Sequence, residues 1–151
     1  MKLLVSLFAF ALFGDAPDAV PDPWSANEIV QPKLLADRLE AHEKPPIFYV
    51  GFPTLYRNGA HIAGAVMAGP CSKAEGIDAL KKAVAEMPRD QELYIYCGCC
   101  PFVKCPNIRP AYSTLHDLGF TKLKVVMIET NLPTDWIAKG YPSEKPPTTT
   151  Q

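Results

Sequence analysis

The sequence lacks an excess of charge of either sign. Its 151 residues contain 15 lysines and arginines against 16 aspartates and glutamates, so the formal net charge at pH 7 is only −1. A protein that holds a nucleic acid backbone or an anionic membrane uses a concentrated positive field, which this composition does not supply. We therefore expect no nucleic acid partner and no binding to a membrane surface.

The sequence also has no internal repeat and no apolar run of membrane-spanning length. Its N-terminal apolar run, Leu3 to Phe13, is broken only by Ser6 and is shorter than the roughly 20 residues that a spanning helix needs. A preceding Lys2 and small residues after the run are typical of a signal peptide, although a buried N-terminal helix is the alternative. We predict that residues 1–19 are a signal peptide and that the mature protein is periplasmic or secreted, without a membrane anchor.

The length allows one domain. A chain of this size with 48% hydrophobic residues can bury one core but hardly two. We predict a single, monomeric domain over residues 20–142. The remainder, residues 143–151, ends in the Pro- and Thr-rich EKPPTTTQ and is predicted to be a disordered tail.

Helical and strand patterns alternate along that domain. Apolar residues recur with helical spacing in three segments, residues 32–42, 74–87 and 111–118. Short apolar runs of strand length lie at residues 47–50, 65–68, 93–97 and 123–128. This alternation predicts an α/β domain whose mostly parallel sheet carries helices on both faces.

Four of the five cysteines lie within nine positions, in the stretch YCGCCPFVKCPNIRPA. Cys97 ends a predicted strand, and the loop after it leads into a helix, which is where open α/β sheets bind ligands. Pro110 is predicted to be the first helical residue. The helix dipole, with Lys104 and Arg109, would stabilise the nucleophilic thiolate of Cys97. The alternative is that Cys97 is a small buried core residue.

Four motifs then occur in order, listed by range: AHIAGAV (60–66), YIYCG (94–98), LHDLGF (115–120) and DWIAKGYP (135–142). Together they resemble the rhodanese-like superfamily. The resemblance implies a five-stranded, mostly parallel sheet with helices on both faces, and transfer of sulfane sulfur through a cysteine persulfide. It implies no cofactor. His61 in the first motif is expected to anchor a turn rather than to catalyse.

The resemblance also assigns site residues. Cys97 matches the nucleophile, and Arg109 is the candidate cation for the bound anion. The predicted anion-binding loop contains Gly98, Cys99, Cys100 and Lys104. The implied partners are a small sulfane-sulfur donor, such as thiosulfate, and a thiol acceptor.

The loop after Cys97 is longer than the usual family spacing, and the added segment carries the other three loop cysteines. We predict a disulfide that joins Cys105 to either Cys99 or Cys100 and stiffens this loop. Cys97 and the remaining neighbour would then be the nucleophile and a resolving thiol.

Three other functions remain open for this loop. Its thiols could exchange disulfides, or the fold could be a catalytically silent binding module. Four soft ligands could also hold zinc or copper(I), but the crowded CGCC and the missing second cysteine pair are unlike ordinary zinc modules, and no histidine lies in the loop. We therefore expect no metal.

Overall fold

The computed structural model describes residues 21–145. These residues form seven strands: β1 (Ile29–Val30), β2 (Ile47–Tyr49), β3 (His61–Ile62), β4 (Ala65–Met67), β5 (Leu93–Tyr96), β6 (Leu123–Val126) and β7 (Ser143–Glu144). Five of them make one sheet in the order β1-β6-β5-β2-β4, and every neighbouring pair in it is parallel. The predicted five-stranded parallel sheet is confirmed, with β5 at its centre.

Helices cover both faces of this sheet. The α-helices of the described residues are α1 (Pro32–Glu40), α2 (Pro53–Asn58), α3 (Ala74–Ala83) and α4 (Ile108–Asp117), and a π-helical turn follows at Pro133–Ile137. On one face Ile95 packs with Leu80 of α3 and Leu115 of α4. On the other face Tyr96 packs with Leu35 of α1 and with Trp136. Strand β5 is buried on both faces, which explains its continuous apolar sequence.

Helix α4 begins two residues earlier than predicted. It starts at Ile108, so Arg109 is helical and Pro110 is the third helical residue instead of the first. The N–H groups of a first helical turn have no partner inside the helix, so a proline there removes no helical hydrogen bond. The position of Asn107 at the start of this helix brings its side chain to the cysteines.

The short elements were not predicted, because two-residue strands show no periodicity. Strand β7 pairs antiparallel with β3, with His61 opposite Glu144. Ser143 and Glu144 are therefore part of the fold, although the sequence prediction placed them in the tail. The predicted signal peptide, residues 1–19, and residues 146–151 of the predicted tail lie outside the described residues. Within residues 21–145 no helix is long and apolar enough to cross a bilayer.

The cysteine loop is held in place by backbone contacts at its start and in its middle. Gly98 has a φ of +70°, and its carbonyl accepts a hydrogen bond of 3.0 Å from Leu132 N–H. Further along, Phe102 N–H donates to Glu129 O at 3.0 Å, and the Phe102 ring packs against Trp24. These contacts fix the loop against the C-terminal edge of the sheet without a covalent link.

Candidate active site

Cys97 is the first residue after the central strand β5 and is 4% exposed. The backbone of Gly51, two residues beyond the end of β2, passes close to it. A Cβ atom built on Gly51 would lie 2.8 Å from Cys97 Sγ and 2.6 Å from Tyr49 Oη. Glycine at position 51 therefore leaves the room that the Cys97 thiol occupies.

Three thiols meet at this point. Cys97 Sγ lies 2.9 Å from Cys99 Sγ, and the sulfurs of Cys97, Cys99 and Cys105 all lie within 4.8 Å of one another. We call these three residues the thiol triad. Cys100 is adjacent to it, with its Sγ 3.4 Å from that of Cys99.

The predicted disulfide is absent, because all five cysteines are free thiols. Cys105 was expected to bond to Cys99 or Cys100, and its sulfur is instead unbonded and lies within 4.8 Å of those of Cys97 and Cys99. The loop is already held by the Gly98 and Phe102 backbone contacts, so it does not depend on a disulfide for its position.

Interactions within the triad shift the pKa values of its thiols apart. Thiol hydrogen bonds from Cys97 and Cys99 lower the pKa of Cys105, and backbone N–H groups of Asn107 and Ile108 add to this effect at the start of α4. Donation to Cys105 and Cys99, together with burial, raises the pKa of Cys97. The same donation to Cys105 raises the pKa of Cys99. These shifts favour a protonated Cys97 and an ionised Cys105.

Asn107 is a site residue that the sequence analysis did not identify. It is fully buried, and its Nδ2 lies 3.6 Å from Cys97 Sγ and 3.8 Å from Cys99 Sγ. Its Oδ1 accepts a hydrogen bond of 2.9 Å from Ser72 N–H, which fixes the orientation of the amide. An asparagine just before the helix that follows a cysteine loop is the sequence signal that could have indicated this role.

The two predicted cations lie elsewhere. Arg109 Nε donates to Asp22 Oδ1 at 2.8 Å, and its guanidinium lies over the Trp24 ring. Lys104 is exposed. The anion-binding role of Arg109 and Lys104 stays a prediction, and the structure gives Arg109 a different partner.

A cavity of about 300 Å³ opens in front of Cys97. Of the predicted loop residues, Gly98 and Cys99 line it. Its other walls are largely apolar and aromatic, including Tyr49, Leu55, Tyr56, Leu132 and Ile137. Among the described residues that line it there is no aspartate, glutamate, lysine or arginine.

His61 also lines this cavity, but as an uncharged group. Its ring is stacked on Tyr56 with 3.9 Å between centroids, and it is buried. Burial lowers the pKa of His61, so the neutral imidazole is favoured at neutral pH. Among its described lining residues the cavity therefore presents the thiols of Cys97 and Cys99 and no fixed positive charge.

The protein is thus a parallel α/β domain with a cysteine at the end of its central strand. No protein-family model and no curated protein matches the sequence. Solved structures do match, among them the rhodanese-like domain of a protein from Anabaena sp., which is 21% identical with a TM-score of 0.57. That match covers 82% of this chain and 83% of the other.

Two sulfurtransferases are also similar in structure. A thiosulfate sulfurtransferase from Pseudomonas aeruginosa is 20% identical with a TM-score of 0.58, and the match covers 80% of this chain but only 20% of that longer one. A polysulfide-sulfur transferase from Wolinella succinogenes is 15% identical with a TM-score of 0.54, and the match covers 82% of each chain. The chain has the rhodanese-like fold, which confirms the resemblance seen in its motifs.

Proposed function

We propose that this protein transfers sulfane sulfur through a persulfide on Cys97. The observation that carries the proposal is the position of Cys97, which lines a cavity at the end of the central strand and has the sulfurs of Cys99 and Cys105 within 4.8 Å of its own. The structural similarity to proteins titled thiosulfate sulfurtransferase and polysulfide-sulfur transferase supports it as well.

The first step needs a deprotonated Cys97. The pKa of Cys97 is raised and that of Cys105 is lowered, so Cys105 is a poor base for this step, and the leaving thiolate of the donor takes up the Cys97 proton as the Cys97 sulfur attacks. The Asn107 amide supports the Cys97 sulfur during the step. Only Cys97 and Cys99 of the triad line the cavity, so Cys105 is not the nucleophile.

Sulfur transfer then follows in two displacements without net oxidation. The Cys97 sulfur attacks the outer sulfur of a donor R–S–SH, the donor S–S bond breaks, and the leaving R–S⁻ takes up the proton given by Cys97 and departs as R–SH. The product is the persulfide Cys97–S–SH. An acceptor thiolate R′–S⁻ attacks its terminal sulfur, forms R′–S–SH and returns Cys97 as a thiolate.

The cavity favours organic donors and acceptors. Thiosulfate is a dianion, and an apolar cavity without lysine or arginine would strip its water without supplying a counter-charge, which is unfavourable. An organic persulfide with a small apolar group would instead bury that group against Leu132 and Ile137. We therefore propose small organic persulfides as donors and small organic thiols as acceptors.

Turnover of a small alkyl persulfide tests this function, with the released thiol and the new persulfide measured separately. We expect Cys97→Ser to abolish turnover and Cys100→Ser, in the same loop but outside the triad, to retain it. Turnover that persists in Cys97→Ser at the rate of the parent protein would exclude Cys97 as the sulfur carrier.

We propose export as the setting of this activity, in the periplasm or outside the cell, supported by the signal-peptide pattern of the N-terminal sequence. Expression of the full chain followed by fractionation tests it. Export with loss of the first residues is the expected result, and an unprocessed chain in the cytoplasm would contradict it.

A second candidate function is thiol–disulfide exchange, because the 2.9 Å between the sulfurs of Cys97 and Cys99 places a resolving thiol beside the nucleophile. Attack of Cys99 on the inner sulfur of the Cys97 persulfide would give a Cys97–Cys99 disulfide and release hydrosulfide. Peptide mapping after donor treatment separates the two functions: a stable persulfide on Cys97 supports transfer, and a Cys97–Cys99 disulfide supports exchange.

A further inference from the structure

We propose that the thiol triad of Cys97, Cys99 and Cys105 is a three-coordinate binding site for copper(I). The three sulfurs lie within 4.8 Å of one another although Cys105 is separated from the others by a loop. The spacing along the sequence argued against a metal site, because CGCC is crowded and no second cysteine pair follows it. The fold changes that conclusion, since the loop returns Cys105 to the sulfurs at the end of β5.

The distances fit one ion between three thiolates. With metal–sulfur bonds of about 2.3 Å, three sulfurs around one ion lie about 4 Å apart. Cys97 and Cys99 are now closer than this, at 2.9 Å, so one of them must move outward by about 1 Å. Cys99 can do so, because it is only half-buried, whereas Cys97 and Cys105 are each 4% exposed and held by packing.

The number and type of ligands select copper(I) over zinc. Soft thiolates bind both ions, but zinc takes four ligands, so a zinc ion on the triad would need a water as its fourth, whereas copper(I) is satisfied by three thiolates. Cys100 is near Cys99 yet does not lie within 4.8 Å of all three sulfurs. The Asn107 amide cannot be the fourth ligand, because its Oδ1 is occupied by Ser72 N–H and its Nδ2 donates toward sulfur.

The surroundings of the triad offset the charge that three thiolates bring. Cys105 lies three residues before the first residue of α4, where the partial positive charge of the helix N-terminus favours a thiolate. The Asn107 side-chain amide donates to Cys97 and Cys99. Hydrogen bonds of this kind orient metal-binding thiolates and stabilise their charge, as outer partners do around other metal ligands.

This site does not depend on the proposed sulfur transfer. The two activities compete, because a copper ion on Cys97 removes the nucleophile. A binding measurement without any sulfur substrate therefore tests the copper site alone, and failure of either proposal leaves the other standing.

The test is an anaerobic titration of the fully reduced chain with copper(I), supplied as its acetonitrile complex against a chromophoric copper(I) chelator. We expect one tightly bound equivalent with a sulfur-only shell of three ligands by X-ray absorption. Loss of an outer partner alone lowers metal affinity by about 10–100-fold, so loss of a ligand in Cys99→Ser should lower it by roughly tenfold or more. Cys105→Ser should do the same.

Cys100→Ser is the matched control, and its affinity should equal that of the parent chain. Because Cys99 is half-buried, Cys99→Ser is the variant that tests the site even if Cys105→Ser fails to fold. Three results would overturn the proposal. The first is that the parent chain retains no more copper(I) than a variant in which all three triad cysteines are replaced by serine. The others are an equal loss of copper(I) affinity in Cys100→Ser and Cys99→Ser, and tight binding of zinc in place of copper(I).

Discussion

Asn107 reaches Cys97 from the far end of the cysteine loop, with its Nδ2 3.6 Å from Cys97 Sγ. The same side chain accepts a hydrogen bond from Ser72 N–H, so one buried amide joins the loop, the segment before α3 and the reactive thiol. Orientation of Cys97 therefore depends on a residue ten positions away in sequence.

We expect Asn107→Ala to lower turnover about tenfold or more, because the Cys97 sulfur loses the donor that positions it. The variant should also lose about 1–3 kcal/mol of stability, since Ser72 N–H is left without its acceptor. If Asn107 positions Cys97, kcat should fall, and the rate at which an alkylating agent modifies Cys97 should fall with it. Unchanged Cys97 alkylation with lower stability would mean that Asn107 is structural only.

Gly51→Ala should damage the site through direct crowding. The added methyl would lie within 3 Å of Tyr49 Oη and of Cys97 Sγ, so one of these groups must move, and overpacking of this kind costs about 1–3 kcal/mol. Gly59→Ala, also at the cavity, is the milder change for comparison, because its added methyl would meet a single backbone atom, Leu55 O, at 3.1 Å. Thermal unfolding and turnover measure both effects, and equal behaviour of the two variants would contradict this account of Gly51.

A lysine placed at the cavity wall should change the choice of donor. Leu55 lines the cavity and is 51% exposed, so Leu55→Lys can place a positive charge beside bound thiosulfate. We expect kcat/KM for thiosulfate to rise several-fold and that for an alkyl persulfide to fall. Leu34→Lys, on an exposed position of α1 away from the cavity, controls for net charge. An equal gain in both variants would point to long-range attraction instead.

Arg109→Gln tests whether Arg109 binds the anionic donor, as the sequence predicted, or only pairs with Asp22, as in the structure. Its ion pair with Asp22 is partly exposed, so we expect a loss of no more than about 1 kcal/mol in stability and no change in KM for an anionic donor. Steady-state kinetics with thiosulfate and thermal unfolding give the two readouts. A large rise in that KM would show that Arg109 does bind the anion.

The α/β class and the place of Cys97 at the end of a strand could be predicted because each rests on local sequence. A continuous apolar run such as LYIY marks a strand covered on both faces, and a cysteine directly after it lies at the sheet edge where ligands bind. The sequence also carried the motifs of the rhodanese-like fold, which the structural similarities confirm.

The partners of the loop residues could not be predicted in the same way. Cys105 returns to Cys97 because of how the loop is held by Leu132 and Glu129, and those backbone contacts have no sequence pattern. Arg109 pairs with Asp22, which is 87 positions earlier in the chain. Such distant pairings depend on the packed fold and not on the spacing of residues within a motif.

The most direct test of sulfur transfer through Cys97 is the intact mass of the reduced chain before and after exposure to a small alkyl persulfide, followed by peptide mapping. We expect a gain of one sulfur atom, located on Cys97, that is lost when an acceptor thiol is added. An unchanged mass, or sulfur located on another cysteine while Cys97 stays unmodified, would contradict sulfur transfer through Cys97.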